Sequence, residues 1–99
     1  MRPVQFLPRS ITDLRDIHRF ETRNSLTWAE LLVGRLVDRA VSLRDFAERG
    51  SPLPEFGTGV RVVSESAFLI FYRVTTEAVV VLRVLHSARR ITPRMLRKS

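Results

Sequence analysis

The chain has 99 residues, of which 44% are hydrophobic, so we expect a single domain over residues 1–99 built around one core. It contains no cysteine, which excludes disulfide bonds and thiolate metal sites, and we expect neither a metal nor a cofactor. Seventeen Lys and Arg against ten Asp and Glu give a net charge of +7, which predicts an anionic partner.

The first ten residues predict a short strand rather than a signal peptide. Val4 and Phe6 are apolar positions two residues apart, and Pro3 and Pro8 limit the strand at its ends. This segment lacks the apolar run of a secretory leader, and no later run is as long as a membrane span. We therefore expect a cytoplasmic protein with no membrane partner.

Two amphipathic helices are predicted next, and the connection of about three residues between them predicts an antiparallel helical hairpin. The first helix is expected to begin at Ser10, with Asp13 in a capping position, and to stop near residues 22–24. The second is expected to begin with a capping box at Thr27 and to end at Gly50.

The rest of the chain predicts a loop followed by three strands. Residues 51–59 contain two prolines and two glycines, so we expect no regular element there. Three apolar runs begin at Val60, Ala67 and Ala78, and the short link at 75–77 predicts an antiparallel hairpin between the last two. This order predicts an α+β fold in which the helical hairpin packs on a small, mostly antiparallel four-stranded sheet.

Both faces of the predicted strand hairpin are apolar. Phe68 and Ile70 alternate with Leu69 and Phe71, so large side chains point to either side of the sheet. The helices can cover only one of these faces. We therefore expect the other face to need a partner, and the isolated chain to be poorly soluble or self-associated.

Cations gather at the C-terminal end of the sequence. The last acidic residue is Glu77, and His86 closes the last predicted strand. Histidine can act as an acid or a base near neutral pH. We expect the rim of the sheet to hold an anionic target and residues 91–99 to form a basic tail. The cations beyond Glu77 are Arg83, Arg89, Arg90, Arg94, Arg97 and Lys98.

Five short motifs follow one another along nearly the whole chain. They are LPRSITDL at 7–14, LRDFAERGSP at 43–52, RVV at 61–63, FYRV at 71–74 and VLRVLH at 81–86. In this order they resemble the ParE/RelE superfamily, the toxic half of type II toxin–antitoxin pairs. Ser10, Ala47 and Ser87 depart from the residues usual in the superfamily, but none of them removes a catalytic group.

The resemblance implies a toxin that is neutralised by a cognate antitoxin, with which it forms a hetero-oligomer. The segment RVLHSARR favours the ParE-like branch, whose members poison DNA gyrase and are not known to need catalytic residues of their own. The implied antitoxin is an acidic, amphipathic protein that binds DNA. We assign target or nucleic-acid binding to Arg61, Arg83, His86, Arg89 and Arg90. We assign antitoxin binding to Trp28, Arg35, Arg39 and Tyr72.

Two other functions are compatible with the sequence. In the RelE-like branch the chain is a ribosome-dependent mRNA endoribonuclease, which needs an acid, a base and a cation at one phosphate. Arg61, His86 and Arg89 are then the catalytic candidates, and Glu48 or Glu65 can partner His86 only if folding brings one of them close. A basic nucleic-acid-binding domain without toxicity is the remaining alternative, and no recognition helix with base-reading residues supports it.

Overall fold

The computed structural model describes residues 2–97. Its strands are β1 (Val4–Phe6), β2 (Ser51–Pro52), β3 (Val60–Glu65), β4 (Phe68–Val74) and β5 (Val79–His86). Its helices are α1 (Pro8–Glu21), α2 (Leu26–Ser42) and α3 (Pro93–Arg97). The sheet order is β1-β5-β4-β3-β2, with β1 parallel to β5 and every other pair antiparallel. The predicted α+β class and the helical hairpin on a mostly antiparallel sheet are confirmed.

The sheet has five strands, because the segment predicted to be an irregular loop contributes β2. Ser51 pairs with Val62 and Pro52 with Arg61, which places β2 on the outer side of β3. Proline cannot donate to a ladder but is tolerated at a sheet edge. Two short segments form 3₁₀ turns. Ala47–Arg49 lies in the stretch predicted to be the end of the second helix, and Pro54–Phe56 lies in the predicted loop.

The first helix begins at Pro8, two residues before the predicted start. Proline suits this position because its missing N–H would have no partner in the first turn of a helix. Ser10 lies inside the helix and its hydroxyl donates to the Leu7 carbonyl at 2.7 Å. Asp13 caps nothing in α1 and faces the sheet instead, so the predicted capping role is wrong.

The second helix also differs from the prediction at both ends. Its cap is Ser25, whose hydroxyl accepts from the Trp28 amide at 3.1 Å, and not Thr27. The helix ends at Ser42, and Gly50 has an extended backbone with φ −73° and ψ 156° rather than a left-handed one. A continued helix would use the Gly50 amide internally, whereas here that amide binds a side chain of the sheet.

One face of the sheet carries the main core. The apolar side of α2 packs there, and Leu36 and Leu43 are no more than 1% exposed. They share a buried cluster with Ile70 of β4 and Val81 of β5, both fully buried. Burial of side chains of this size stabilises the fold by roughly 1.5–3 kcal/mol each.

The other face of the sheet is covered by the chain itself, which corrects the expectation of an open apolar face. Leu96 of α3 is only 4% exposed in a second buried cluster. Phe56 stacks on Phe71 of β4 with ring centroids 6.0 Å apart. Residues 91–97 therefore fold back on the sheet through Ile91, Met95 and Leu96 instead of forming a solvated tail. Residues 98–99 of the predicted tail lie outside the described part of the chain.

A β-bulge interrupts the pairing of β4 with β5. Phe71 opposes Arg83, but the next residue, Tyr72, opposes Val81, so Leu82 is an extra residue on β5. A bulge bends its strand and re-aims the side chains that follow. As a result, strict alternation fails at this point and every residue from Val81 to Leu85 is buried, including one arginine.

Candidate target-binding site

Arg83 is buried and fully engaged within the molecule. It is 5% exposed; its Nε donates to Asp13 Oδ2 at 2.7 Å and its Nη2 to Asp13 Oδ1 at 2.8 Å. Nη1 donates to the Met95 carbonyl at 3.0 Å. The hydrogen bonds to the Asp13 carboxylate raise the pKa of Arg83 more than burial lowers it. The assignment of Arg83 to target binding is therefore wrong, because the side chain is buried and each of its three guanidinium nitrogens is bonded within the molecule.

Asp13 connects α1 to the edge of β5. Strand β1 pairs with β5 only as far as Val81, so beyond that point β5 has no neighbouring strand on the β1 side. Asp13 Oδ2 accepts from the Val84 amide at 2.9 Å in addition to Arg83. The Asp13 carboxylate thus accepts hydrogen bonds from both an edge amide of β5 and the buried Arg83 guanidinium. The sequence contained no signal for this contact, because the two partners are 70 residues apart.

Tyr72 is another assigned residue that the structure buries completely. Its exposure is 0%, and its hydroxyl donates to the Ala47 carbonyl at 2.8 Å and accepts from the Gly50 amide at 2.9 Å. The Tyr72 side chain therefore holds the segment after α2 against the sheet. The assignment to antitoxin binding is wrong, since no part of the side chain reaches the surface.

The burial of Tyr72 predicts an alkaline loss of stability. Burial raises the pKa of the Tyr72 phenol above its ordinary value of 10.0 by more than the Gly50 hydrogen bond lowers it. The unfolded chain releases this proton first, so stability falls as the pH rises past 10 towards the folded pKa, by up to about 1.4 kcal/mol per pH unit. We expect Tyr72→Phe to lose less stability than the parent between about pH 9 and about pH 11. Urea denaturation at both pH values measures this, and equal losses would contradict it.

Arg61 supports the β2 segment rather than presenting an open cation. Its Nη1 donates to the Gly50 carbonyl at 2.7 Å and to the Glu48 carbonyl at 3.1 Å. The side chain is half-buried. These bonds fix the turn before β2, so a structural role accounts for the residue.

His86, Arg89 and Arg90 form the exposed end of the β5 region, and we call them the basic rim. The His86 ring packs edge-on against Phe68, with centroids 5.2 Å apart. Its Nδ1 accepts from the Ala88 amide at 3.0 Å. Since Nδ1 is an acceptor, the proton of the neutral ring lies on Nε2, where it is available as a donor. The three assigned residues of the basic rim are thus adjacent and accessible.

The structure does not bring Arg61 to the basic rim. Arg61 opposes Tyr72 on β4, which opposes Val81 on β5, and His86 lies five residues further along that strand. At about 3.3 Å per residue this is about 17 Å along the strand, and two strand spacings add to it. Groups that act on a single phosphate must lie within hydrogen-bond reach of it. The set of Arg61, His86 and Arg89 is therefore not an assembled catalytic site.

The three remaining antitoxin candidates lie on α2. Trp28 is 37% exposed, and the Arg35 guanidinium lies over its ring at 5.8 Å from the centroid. Arg39 is half-buried and its Nε donates to the Ser64 carbonyl at 3.3 Å. Two further apolar residues of α2 that were not assigned to antitoxin binding are also exposed, Leu26 at 62% and Leu31 at 50%.

The described chain presents neither a cluster of metal-ligating side chains nor a membrane-spanning helix. Within residues 2–97, no three His, Asp or Glu side chains are placed to hold a metal ion together. Over the same range, no helix combines the length and the apolar character needed to span a bilayer.

Comparison with known proteins identifies a matching family model and solved structures with the same fold. The family model described as the ParE toxin of the type II toxin–antitoxin system parDE matches residues 4–91. The chromosomal ParDE system of P. aeruginosa contains a chain with TM-score 0.74 and 21% identity, covering 87% of this chain and 96% of that one. The RelBE2 complex of Mycobacterium tuberculosis contains one with TM-score 0.67 and 22% identity, covering 86% and 96%. At these identities the two structures show the fold alone. Curated protein sequences give no match.

Proposed function

Because the chain belongs to the ParE toxin family of type II toxin–antitoxin systems, we propose that it poisons DNA gyrase in the cytoplasm and is neutralised by a cognate antitoxin. The observation that carries the choice of target is the basic rim, in which His86, Arg89 and Arg90 are exposed together. Adjacent cations attract a DNA-bound enzyme and can contact phosphate directly. The function proposed is therefore binding, without catalysis by the chain itself.

The alternative of an mRNA endoribonuclease has less support. Such an enzyme needs an acid, a base and a stabilising cation that converge on one phosphate. Arg61 is held by two backbone carbonyls and is well separated from His86 along the sheet. The nitrogen His86 Nδ1 is already engaged with the Ala88 amide. These contacts favour a toxin that acts by binding.

The surface proposed for the antitoxin is the outer side of α2 near its start. Trp28 and Leu31 are exposed there, and Arg35 is stacked on the tryptophan ring. Tryptophan and arginine are among the residues that most often dominate the binding energy of an interface. An acidic, amphipathic segment complements both this apolar surface and the net charge of +7.

The test compares two targets with the same purified chain. We expect it to accumulate cleaved plasmid in a DNA gyrase reaction and to leave mRNA intact on translating ribosomes. Arg89→Ala and Arg90→Ala should each raise the concentration needed for half-maximal gyrase poisoning about tenfold, the usual effect of losing a charged hydrogen bond. Addition of the protein encoded immediately upstream should abolish the effect if that protein is the antitoxin.

Arg15→Ala is the matched control, because Arg15 is an exposed arginine of α1 outside the basic rim. It removes the same charge and should leave gyrase poisoning unchanged. Cleavage of mRNA that is lost on His86→Ala would support the endoribonuclease instead. Salt-sensitive duplex binding without either activity would support a plain nucleic-acid-binding domain.

A further inference from the structure

A cleft separates the second half of α1 from the end of β5. Its volume is about 340 Å³, within the range of small-molecule sites. The rings of Phe20 and His86 line it from the helix side and the strand side, respectively. Phe20 is 59% exposed, although it is a large apolar residue. The floor is apolar, because Phe68 and Val84 belong to the main core and Ile17 packs against it.

Opposite charges line the two sides of this cleft. Asp16 and Glu21 lie on the α1 side, whereas Arg89 lies on the strand side. Asp16 has only a surface contact of 3.8 Å with Arg19, and in the described chain Arg89 forms no ion pair with either carboxylate. At the inner end of the cleft, by contrast, both oxygens of the Asp13 carboxylate accept hydrogen bonds from Arg83. The cleft therefore has acceptors on one side and donors on the other, with nothing bridging them.

We propose that this cleft binds one unpaired nucleotide, with its base between Phe20 and the apolar floor and its phosphate on Arg89. A base presents a flat face that stacks on an aromatic ring. The arginine fork matches the phosphate oxygens, and His86 Nε2–H supplies a further donor beside it. The inference goes beyond the proposed function, because it concerns a nucleotide and not the enzyme that is poisoned.

The carboxylates predict which base is preferred. Ionised Asp16 and Glu21 are acceptors only, so they bind a base edge that offers donors. Guanine presents an N–H and an amino group side by side on its Watson–Crick edge, whereas uracil presents a single N–H between two carbonyls. The carboxylates would repel those carbonyls. We therefore expect a preference for guanine over uracil.

A segment of an acidic protein partner fits the same cleft less well. It would place its carboxylates against Asp16 and Glu21, which have no cation bridging them to the strand side. A nucleotide avoids this repulsion because its negative charge is confined to the phosphate end. The distribution of charge across the cleft thus distinguishes the two kinds of ligand.

The experiment is calorimetric titration of the purified chain with guanosine 5′-monophosphate and uridine 5′-monophosphate. We expect guanosine 5′-monophosphate to bind more tightly, and Arg89→Ala to weaken that binding about tenfold. Phe20→Ala should weaken it about tenfold as well, through the lost stack. Asp16→Asn should reduce the preference for guanine. Arg15→Ala removes an equal charge from the same helix outside the cleft and should change nothing.

A second set of titrations separates two sources of the nucleotide. Tighter binding of a single-stranded oligonucleotide containing one guanine than of the free mononucleotide, lost on Phe20→Ala, assigns the cleft to an exposed strand. Equal binding of both assigns it to a free nucleotide, and either result supports the site. Absence of binding, equal affinity for the two mononucleotides, or equal loss in Arg15→Ala and Arg89→Ala would overturn it. Phe20 and Arg89 are exposed, so these variants should remain folded.

Discussion

Replacement of Arg83 by methionine is expected to lower the free energy of unfolding by about 3–5 kcal/mol, the usual cost of removing one partner of a buried ion pair. Methionine fills a similar volume but leaves the Asp13 carboxylate buried with only the Val84 amide to bind. It also frees the Met95 carbonyl and so loosens α3. Equilibrium denaturation in urea measures the loss. Domains of this size are stable by only about 5–15 kcal/mol in total, so the effect is large.

The double variant Asp13→Leu/Arg83→Met controls for the loss of packing. It removes both charges together and should recover most of the stability, because the penalty comes from an unpaired buried charge. Arg89→Met removes a charge from an exposed position and should change stability by no more than about 0.5 kcal/mol. A loss in Arg83→Met as small as that in Arg89→Met would contradict a stabilising ion pair.

Local patterns were sufficient to predict the larger elements. The apolar runs of β3, β4 and β5 predict their strands, and the three- and four-residue spacing of α2 predicts its buried side. The predictions went wrong where a distant contact decides the backbone. Strand β2 exists because Ser51 and Pro52 pair with β3. The local sequence does not predict this pairing, because its two prolines are typical of a loop.

The end of α2 shows the same effect. Continuous amphipathic spacing predicted a helix to Gly50, but the Tyr72 hydroxyl takes both the Ala47 carbonyl and the Gly50 amide. These two groups would belong to the helix ladder if the helix continued. A side chain 22 residues further along the sequence therefore binds the backbone of residues 47–50 that a longer helix would have used. Periodicity within one segment contains no information about such a competitor.

The candidate site was predictable only in part, for a related reason. Charge predicted the location of the basic rim, and His86, Arg89 and Arg90 are indeed exposed together. Charge could not distinguish them from Arg83, which the bulge in β5 re-aims towards Asp13. The cleft beside the rim also escaped prediction, since it forms between α1 and β5, which are far apart in the sequence.

Substitution of Gly50 by alanine is expected to lower the free energy of unfolding by about 2–4 kcal/mol, from overpacking and a weakened buried hydrogen bond. A Cβ at this position would clash with the Tyr72 hydroxyl and would lie 2.8 Å from the Val62 carbonyl oxygen. The backbone at Gly50 is compatible with alanine, since φ is −73°. Without the steric contact the substitution would stabilise the protein by about 0.4–1 kcal/mol through the unfolded state. Whether Gly50→Ala lowers or raises the free energy of unfolding therefore shows whether Tyr72 and Val62 pack closely against Gly50.

Gly34→Ala is the matched control, because a Cβ there meets no atom within 4 Å on the exposed side of α2. It should stabilise the protein by about 0.5–1 kcal/mol, as expected for alanine in a helix interior. The double variant Gly50→Ala/Tyr72→Phe removes the nearest atom but leaves the Val62 carbonyl in place. Its loss should be smaller than the sum of the two single losses, because both substitutions act on one hydrogen bond. Stabilisation by Gly50→Ala, or strict additivity in urea denaturation, would show that Tyr72 does not hold this turn against the sheet.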